Sequence, residues 1–418
     1  MTRTRDRSRT HDIVLFGATG FTGAIVAEYL VRTHGVDGLR LALAGRSLEK
    51  LEKVRTQLAG IDSAAVDLPL VVADSFDNEA LDAMAASTSV VCSTVGPYAK
   101  YGAGLVEACI QHGTDYCDLT GETQFIRRMV DAHHEAAKES GARIVHCCGF
   151  DSIPSDLGTL MMQEEMNERY GTYAHEVRYV AGESKGSASG GTVASMLNIL
   201  DEVKEDPSLR RVLGDPYALN PEGDRQGPDG SDQMGVRYDE DLRMWTGPFV
   251  MAAINTRVVR RSHALMGFPW GRSFQYSESM SFGRGPAGLA RATGVTAAFA
   301  TTLGALASPL RPIVEKRLPD PGEGPDRAAR EAGFFRSRLV AKGRTQEGRP
   351  VVLRGLVEGQ QDPGYGETAK MLGEAAYCLA IEGAELTSEG GIQTPATAMG
   401  MRLVERLREA GMTFSVSK

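Results

Sequence analysis

The sequence VLFGATGFTG, residues 14–23, carries three glycines with the spacing of a nucleotide-binding turn. The apolar residues before the turn predict a buried strand, and the residues after it predict a helix. Gly17 permits a tight turn, Gly20 lets the backbone approach a pyrophosphate, and Gly23 lets the helix pack closely on the strand. We therefore predict a dinucleotide site at the helix N-terminus, formed by Gly17, Thr19, Gly20, Phe21, Thr22 and Gly23.

Length, charge and cysteine content indicate how many domains the protein has and which partners it can bind. The chain has 418 residues and a formal net charge of -8, which favours two or more domains and argues against a nucleic-acid binder. The six cysteines form no C-x-x-C pair and no His-Cys spacing, so we expect a cytoplasmic protein without a metal site. We interpret the adjacent Cys147 and Cys148 as packed hydrophobic residues. Residues 1–11 are rich in arginine, lack an apolar signal segment and predict a disordered tail.

Strands and helices alternate from residue 12 to residue 155. The apolar segments LRLALA, LPLVV, SVVCS, DYCDL and ARIVHCC predict further strands, and helical segments such as residues 48–58 and 125–140 separate them. This alternation predicts a parallel sheet with helices on both faces and with its ligand at the carboxyl ends of the strands. We therefore assign the fold to the α/β class, with a Rossmann-type doubly wound parallel sheet over residues 12–155.

Informative side chains follow the predicted strands. Arg46 and Ser47 stand after the second strand, where an Asp or Glu would select NAD, so they predict a site for the 2′-phosphate of NADP. A surface arginine that stabilises a loop is the alternative. Asp74 follows the third strand and is expected near the adenine. The turn after the fourth strand is expected near the nicotinamide and contains Thr94, Gly96, Pro97 and Tyr98.

The alternation breaks down after residue 155, and we predict an inserted second α+β domain over residues 156–390. Its expected parts are strands at 173–184 and 271–283, a helix at 190–200, an exposed excursion at 214–241 and a hairpin at 334–359. A helix over residues 391–418 is expected to return to the dinucleotide-binding domain.

Residues 292–310 carry no charge and lie between Arg291 and Arg311. Threonines, glycines and Pro309 interrupt the segment, so it is a poor membrane span. We predict a helical hairpin that is either buried or located at a membrane surface. In the second case its contact with lipid would associate a cytoplasmic protein with the membrane.

Eight motifs in order resemble one family across nearly the whole chain. GATGFTG, AGRS, TVGPYAKYG, YCDLTGE, CGFDSIPSDLG, GGTVASM, DPGYGETAKML and GIQTPATAMG are similar to segments of the saccharopine-dehydrogenase-like oxidoreductases, and most closely to those of the trans-acting enoyl reductases of polyketide-lipid assembly. The resemblance implies an NADPH-dependent reduction of a carbon–carbon double bond. The acyl substrate would be carried by a carrier protein or polyketide synthase. We also expect a homodimer.

Enoyl reduction requires a proton for the α-carbon and a hydrogen-bond donor for the thioester oxygen. No tyrosine has a lysine four residues later, so the mechanism of the short-chain dehydrogenases is excluded. The candidates for the acid are Tyr98, Asp151 and Ser152, although Tyr98 could be packing and Asp151 could cap a helix.

Two other functions remain open at this stage. One is a lipid-surface or scaffold protein that retains the fold with an idle site. The other is an amino-acid reductase of the saccharopine type, which needs cationic groups for several carboxylates. The run Arg257, Arg260 and Arg261 is the nearest such cluster, but charge runs are usually solvated faces.

Overall fold

The computed structural model describes residues 8–186, 190–316 and 324–417. Fourteen strands lie in these ranges: β1 (His11–Phe16), β2 (Leu41–Gly45), β3 (Leu70–Val72), β4 (Thr88–Ser93), β5 (Asp115–Asp118), β6 (Arg143–Val145), β7 (Glu176–Lys185), β8 (Arg237–Asp239), β9 (Met244–Gly247), β10 (Gln275–Ser281), β11 (Phe334–Arg344), β12 (Pro350–Gly359), β13 (Gly391–Gln393) and β14 (Thr413–Ser417).

The helices of the described residues lie between these strands. They are α1 (Phe21–His34), α2 (Leu48–Ala59), α3 (Asn78–Ser87), α4 (Tyr98–Tyr101), α5 (Ala103–Gln111), α6 (Thr123–Ser140), α7 (Ile153–Tyr170), α8 (Gly190–Glu205), α9 (Leu209–Gly214), α10 (Ala252–Leu265), α11 (Gly285–Leu306), α12 (Arg311–Glu315), α13 (Arg327–Glu331), α14 (Gly366–Ile381), α15 (Pro395–Ala398) and α16 (Gly400–Glu409).

The first sheet is the predicted Rossmann-type sheet. Its strand order is β13-β6-β5-β4-β1-β2-β3, and every pairing in it is parallel. Each residue of β1 is buried, as expected for a central strand covered on both faces. From β1 the chain adds β2 and β3 on one side, and β4, β5 and β6 on the other, so the strand order reverses between β1 and β4. The carboxyl ends of these two strands therefore lie where such folds bind ligands.

The second sheet is mixed, which confirms the α+β character expected beyond residue 155. Its order is β14-β12-β11-β7-β10-β9-β8. β7 and β10 pair in parallel, and β11 and β12 form the predicted antiparallel hairpin with Leu339 opposite Gly355. Helix α7 packs against β11 and β12, and its Gly158 permits close contact with Leu339 and Val357.

The segment 391–418 differs from the single helix that we predicted. It contains β13, α15, α16 and β14 over its described residues. β13 extends the first sheet beside β6, whereas β14 extends the second sheet beside β12. Helix α14, placed before residue 390 in the predicted second domain, packs on β1, β4 and β5 of the first sheet. α14 thus lies within the predicted second domain by sequence but packs on the first sheet, and the domain limits at 155 and 390 stay a prediction.

The predicted exposed excursion at 214–241 is partly wrong, because residues 217–220 are buried. The interpretation of the arginine run on α10 as a solvated face is also wrong. Arg257, Arg260 and Arg261 are only 3%, 5% and 2% exposed. Arg260 binds Asp229 at 2.7 Å, and Arg257 pairs with Asp232. Acidic residues of the excursion neutralise two of the three arginines and hold the excursion against α10.

Helix α11 replaces the hairpin predicted for residues 292–310. It is one helix of 22 residues that packs on β9, and its outer surface is open. Val295 is 47% exposed, and Leu310, after the helix, is 57% exposed. No helix within the described residues is both long enough and apolar enough to cross a membrane.

The predicted disordered tail, residues 1–11, is only partly within the described residues. Residues 1–7 lie outside them. Arg9 donates to the carbonyl oxygens of Ala85 and Ala86 at 3.0 and 2.7 Å, and β1 begins at His11. Residues 9–11 are therefore ordered, because they are bound to α3 or paired in the first sheet.

Candidate active site

The glycine turn between β1 and α1 is tightly closed. Gly17 has φ of 93°, a conformation that side chains disfavour. A Cβ at Gly23 would lie 2.1 Å from the carbonyl oxygen of Gly17, so only glycine lets α1 start this close to the turn. A Cβ at Gly20 would lie 3.3 Å from the same oxygen. Gly20 is therefore less restricted by the protein itself, which agrees with its expected role of leaving room for a ligand.

The start of α1 can receive an anion. Gly20 is the N-cap residue, and no side chain of the described residues caps the helix. The first N–H groups of a helix have no intrahelical partner, and here Phe21, Thr22 and Gly23 provide them. These groups fit a pyrophosphate, and Gly20 beside them is exposed, so the turn offers the donors that the anionic part of NADP requires.

Arg46 and Asp74 meet at the ends of β2 and β3. The Arg46 side chain is 78% exposed, and its Nε lies 3.9 Å from Asp74 Oδ2. Asp74 Oδ1 also accepts a hydrogen bond from the backbone N–H of Phe76 at 3.0 Å. Ser47 is the N-cap of α2 and accepts from Lys50 N at 3.4 Å. The guanidinium of Arg46 is thus free to turn toward a phosphate beside the glycine turn.

Thr19 lies against Gly45, since a Cβ at Gly45 would be 3.4 Å from Thr19 Oγ1. This contact connects the glycine turn with the residue that precedes Arg46. The two predicted parts of the cofactor site are therefore neighbours in the structure.

Two residues predicted to contact the cofactor, Thr94 and Phe21, also have protein partners. The Thr94 hydroxyl lies 3.2 Å from the carbonyl oxygen of Gly17 and donates to it. This hydrogen bond stabilises the glycine turn. The Phe21 ring packs edge-on against Tyr365, with ring centroids 4.8 Å apart. Both side chains position the turn, and their contact with the cofactor stays a prediction.

Tyr98 is a wrong candidate for the proton donor. Its ring is 3% exposed, and its hydroxyl donates to the carbonyl oxygen of Ser93 at 3.1 Å. Burial, followed by the charge of Asp118, raises the pKa of the Tyr98 hydroxyl well above its usual range. The phenol therefore stabilises the end of β4 and cannot reach a substrate. The neighbouring Gly96 is exposed and Pro97 half-buried, so these two residues form the accessible part of the turn.

Glu122 is a site residue that sequence reasoning missed, although the motif YCDLTGE contains it. Its side chain is fully buried, and it accepts hydrogen bonds from the N–H groups of Tyr98 and Ala99 at 2.8 and 2.9 Å. Ser195 on α8 donates a third bond at 2.8 Å. One carboxylate thus joins the turn after β4 to a helix of the inserted segment. Burial raises the pKa of Glu122, and the three hydrogen bonds oppose this effect.

Ser152 is a second wrong candidate for the acid, because it belongs to a buried network. Its hydroxyl donates to Asn255 Oδ1 at 3.0 Å. Asn255 donates in turn to Ser155 at 3.1 Å and to Glu278 at 3.0 Å. These residues come from α7, α10 and β10, so Ser152 holds these elements together.

Asp151 has a different environment. Ser152, not Asp151, is the N-cap residue of α7, so the alternative of a capping role is wrong. Asp151 is half-buried as a residue, and a Cβ at Gly121 would lie 3.6 Å from its Oδ2. Burial alone raises the pKa of Asp151 to about 7. The structure places this carboxyl beside Gly121, in the loop that follows β5.

A further polar pair, missed from the sequence, lies beneath this loop. His146 Nδ1 is 2.7 Å from Asp118 Oδ2, and the side chains are 2% and 0% exposed. Cys147 and Cys148 follow and are buried, as predicted, and burial raises the pKa of both thiols. Cys147 has φ of 64°, so the backbone at the end of β6 is strained where the chain turns toward Asp151.

Comparisons with known proteins cover nearly the whole chain. Residues 13–145 match the family model of the saccharopine dehydrogenase NADP binding domain. A Mycobacterium tuberculosis protein is 42% identical over 420 residues, 98% of each chain. A Mycobacterium bovis protein is 39% identical over 423 residues, also 98% of each. Both are described as trans-acting enoyl reductases, the first as a provisional assignment.

A solved structure agrees with the fold. Saccharopine dehydrogenase (L-Glu forming) from Saccharomyces cerevisiae superposes with a TM-score of 0.57 and 12% identity, covering 98% of this chain and 100% of that one. At this identity the likeness concerns the fold, and it confirms the predicted combination of a Rossmann-type sheet with a second sheet.

Proposed function

The chain belongs to the trans-acting enoyl reductases with a saccharopine dehydrogenase NADP-binding domain, and we propose that it reduces a carbon–carbon double bond in an acyl chain carried by a partner polyketide synthase. It is an NADP-dependent oxidoreductase that acts on CH–CH bonds. The observation that carries the proposal is the likeness to enoyl reductases over 98% of the chain.

The residues of the site support NADPH as the cofactor. We propose that the N–H groups of residues 21–23 bind its pyrophosphate and that Arg46 binds its 2′-phosphate, with Ser47 beside it. Asp74 would lie near the adenine, and the turn with Gly96 and Pro97 would face the nicotinamide. When bound there, NADPH supplies the hydride for the β-carbon. The protein then has to orient the enoyl thioester, exclude water and provide one proton.

The buried arginines argue against an amino-acid reductase of the saccharopine type. A substrate with several carboxylates needs cations that are free to bind it. Arg257 and Arg260 are paired with aspartates, and Arg261 donates to the carbonyl oxygens of Leu219 and Ile392. The strongest cationic cluster of the sequence is therefore used within the protein.

The outer surface of α11 supports a contact with a partner. Its uncharged, exposed residues suit the synthase that carries the acyl chain. We include in the proposal a homodimer and a peripheral lipid contact through residues 292–310 as alternative uses of this surface. Light scattering, synthase pull-down and vesicle flotation with and without the exposed-face variant Val295→Asp would distinguish the three uses.

The activity is tested by mixing the purified chain with NADPH and a series of 2-enoyl thioesters of N-acetylcysteamine. We expect NADPH oxidation together with a product heavier by two hydrogens. Gly20→Val, which blocks the pyrophosphate position, is the matched inactive control. Oxidation of NADPH by an amino-acid imine but by no enoyl thioester would show the saccharopine-type reaction instead. Tight NADPH binding without turnover of either would favour the scaffold alternative.

A further inference from the structure

Enoyl reduction leaves the α-carbon in need of a proton once hydride has reached the β-carbon. The π bond breaks, its electrons pass to the thioester enolate, and a C–H bond must form at the α-carbon. The donor has to be accessible to substrate, close to the nicotinamide turn and not committed to another hydrogen bond. These three requirements can be compared with each acidic side chain of the site.

The other acids fail because the protein already uses them. Tyr98 and Ser152 are buried and donate within the protein. The buried carboxylates near the ends of β5 and β6, and those of the neighbouring helices and of β10, each accept two or more hydrogen bonds from described residues: Asp118, Glu122, Asp156, Glu278 and Glu367.

Asp151 meets all three requirements. No described residue donates a hydrogen bond to its carboxyl group, and part of the residue is exposed to solvent. Its Oδ2 is next to Gly121, and the following residue, Glu122, holds the N–H groups of Tyr98 and Ala99. The neighbour of Asp151, Gly121, therefore directly precedes the residue that anchors the nicotinamide turn, Glu122.

We propose that Asp151 is the catalytic acid that donates a proton to the α-carbon of the enoyl thioester. The inference rests on the proposed function. The Asp151 O–H bond breaks as the α-carbon C–H bond forms, and the resulting carboxylate takes its next proton from solvent. The pKa near 7 keeps a substantial fraction of the carboxyl protonated at neutral pH, which an ordinary aspartate would not achieve.

The surroundings of Asp151 define the expected pH dependence. Gly121 of the β5–α6 loop lies beside the Asp151 carboxyl group and carries no charge. The thiol of Cys147 is the titratable group that interacts with it, and burial keeps that thiol protonated. We therefore expect kcat/KM to fall above about pH 7, as the acid form of Asp151 is lost.

The experiment compares wild type with Asp151→Asn and Asp151→Glu, and uses Glu164→Gln on the exposed side of α7 as the matched control. With 2-enoyl N-acetylcysteamine thioesters, we expect Asp151→Asn to lower kcat by roughly 100-fold to 10,000-fold and to remove the alkaline fall in rate. Asp151→Glu should restore part of the rate and the pH limb. NADPH binding, measured by calorimetry, should stay unchanged in all variants.

A second measurement does not depend on turnover. NMR titration of protein labelled with ¹³C at the aspartate carboxyls should show a group titrating near pH 7 that is absent from Asp151→Asn. Wild-type turnover that Asp151→Asn leaves intact, or an Asp151 carboxyl that titrates near 4, would overturn the assignment. A wild type that fails with every thioester refutes the proposed function instead, and the NMR titration then decides whether Asp151 can hold a proton at neutral pH.

Discussion

Replacement of Arg46 by alanine should separate the two nicotinamide cofactors. In the structure, the guanidinium is 78% exposed and makes one long contact of 3.9 Å with Asp74. An exposed pair of this kind contributes about 0–1 kcal/mol, so Arg46 loses little when it turns toward a 2′-phosphate. NADPH carries this phosphate and NADH does not. The variant therefore tests one subsite without changing the glycine turn.

The expected loss follows from the exposure of Arg46. A hydrogen bond to a charged group contributes about 1.5–3 kcal/mol, and the solvent around Arg46 favours the lower part of this range. At 1.4 kcal/mol per factor of ten, Arg46→Ala should raise the Kd for NADPH by about 10-fold to 30-fold. The Kd for NADH should stay close to that of wild type.

Calorimetric titration with each cofactor measures both constants. Arg46→Lys keeps the charge but loses the planar fork, so it should lie between wild type and alanine. Asp74→Asn removes the competing carboxylate and should bind NADPH at least as tightly as wild type does. Equal losses for NADPH and NADH in Arg46→Ala would refute the 2′-phosphate assignment and favour a general role of Arg46 in the loop.

Three further predictions concern residues whose role the structure defines. Tyr98→Phe should keep near-normal turnover but lose about 1 kcal/mol of unfolding free energy in urea, and loss of turnover in a folded variant would restore Tyr98 as an acid. Gly23→Ala should lower both the melting temperature and cofactor affinity, because its Cβ would lie 2.1 Å from the Gly17 oxygen; normal NADPH binding would contradict the described turn. Arg260→Met leaves Asp229 buried and unpaired, so urea unfolding should show a loss of about 3–5 kcal/mol, whereas a surface arginine would show almost none.

The first sheet could be predicted from the sequence because its strands and helices follow one another locally. Each apolar run is bounded by a turn, and the glycine motif indicates which strand lies at the centre. The second sheet pairs distant segments, so β14 was mistaken for part of a helix. Periodicity within a short segment contains no information about a partner strand far away in the chain.

The parts of the site that were missed depend on three-dimensional neighbours. The arginine run on α10 looks like a solvated face until the aspartates of the 214–241 excursion are placed beside it. Glu122 lies in a recognised motif, yet its three donors come from two other elements. Asp151 and Ser152 are adjacent in sequence and equal as candidates, and they are distinguished by the exposure of Asp151 and by the hydrogen bond from Ser152 to Asn255.

The strands β13 and β14 have a consequence for the order in which the protein folds during synthesis. Ile392 pairs beside Ile144 in the first sheet, and Phe414 pairs beside Val357 in the second. Both pairings must wait until the segment after residue 390 has left the ribosome. Until then, β6 and β12 each present an open edge to which other chains could add a strand. A nascent chain paused before residue 391 would thus be prone to aggregation at two edges, and binding of the segment that follows would close both.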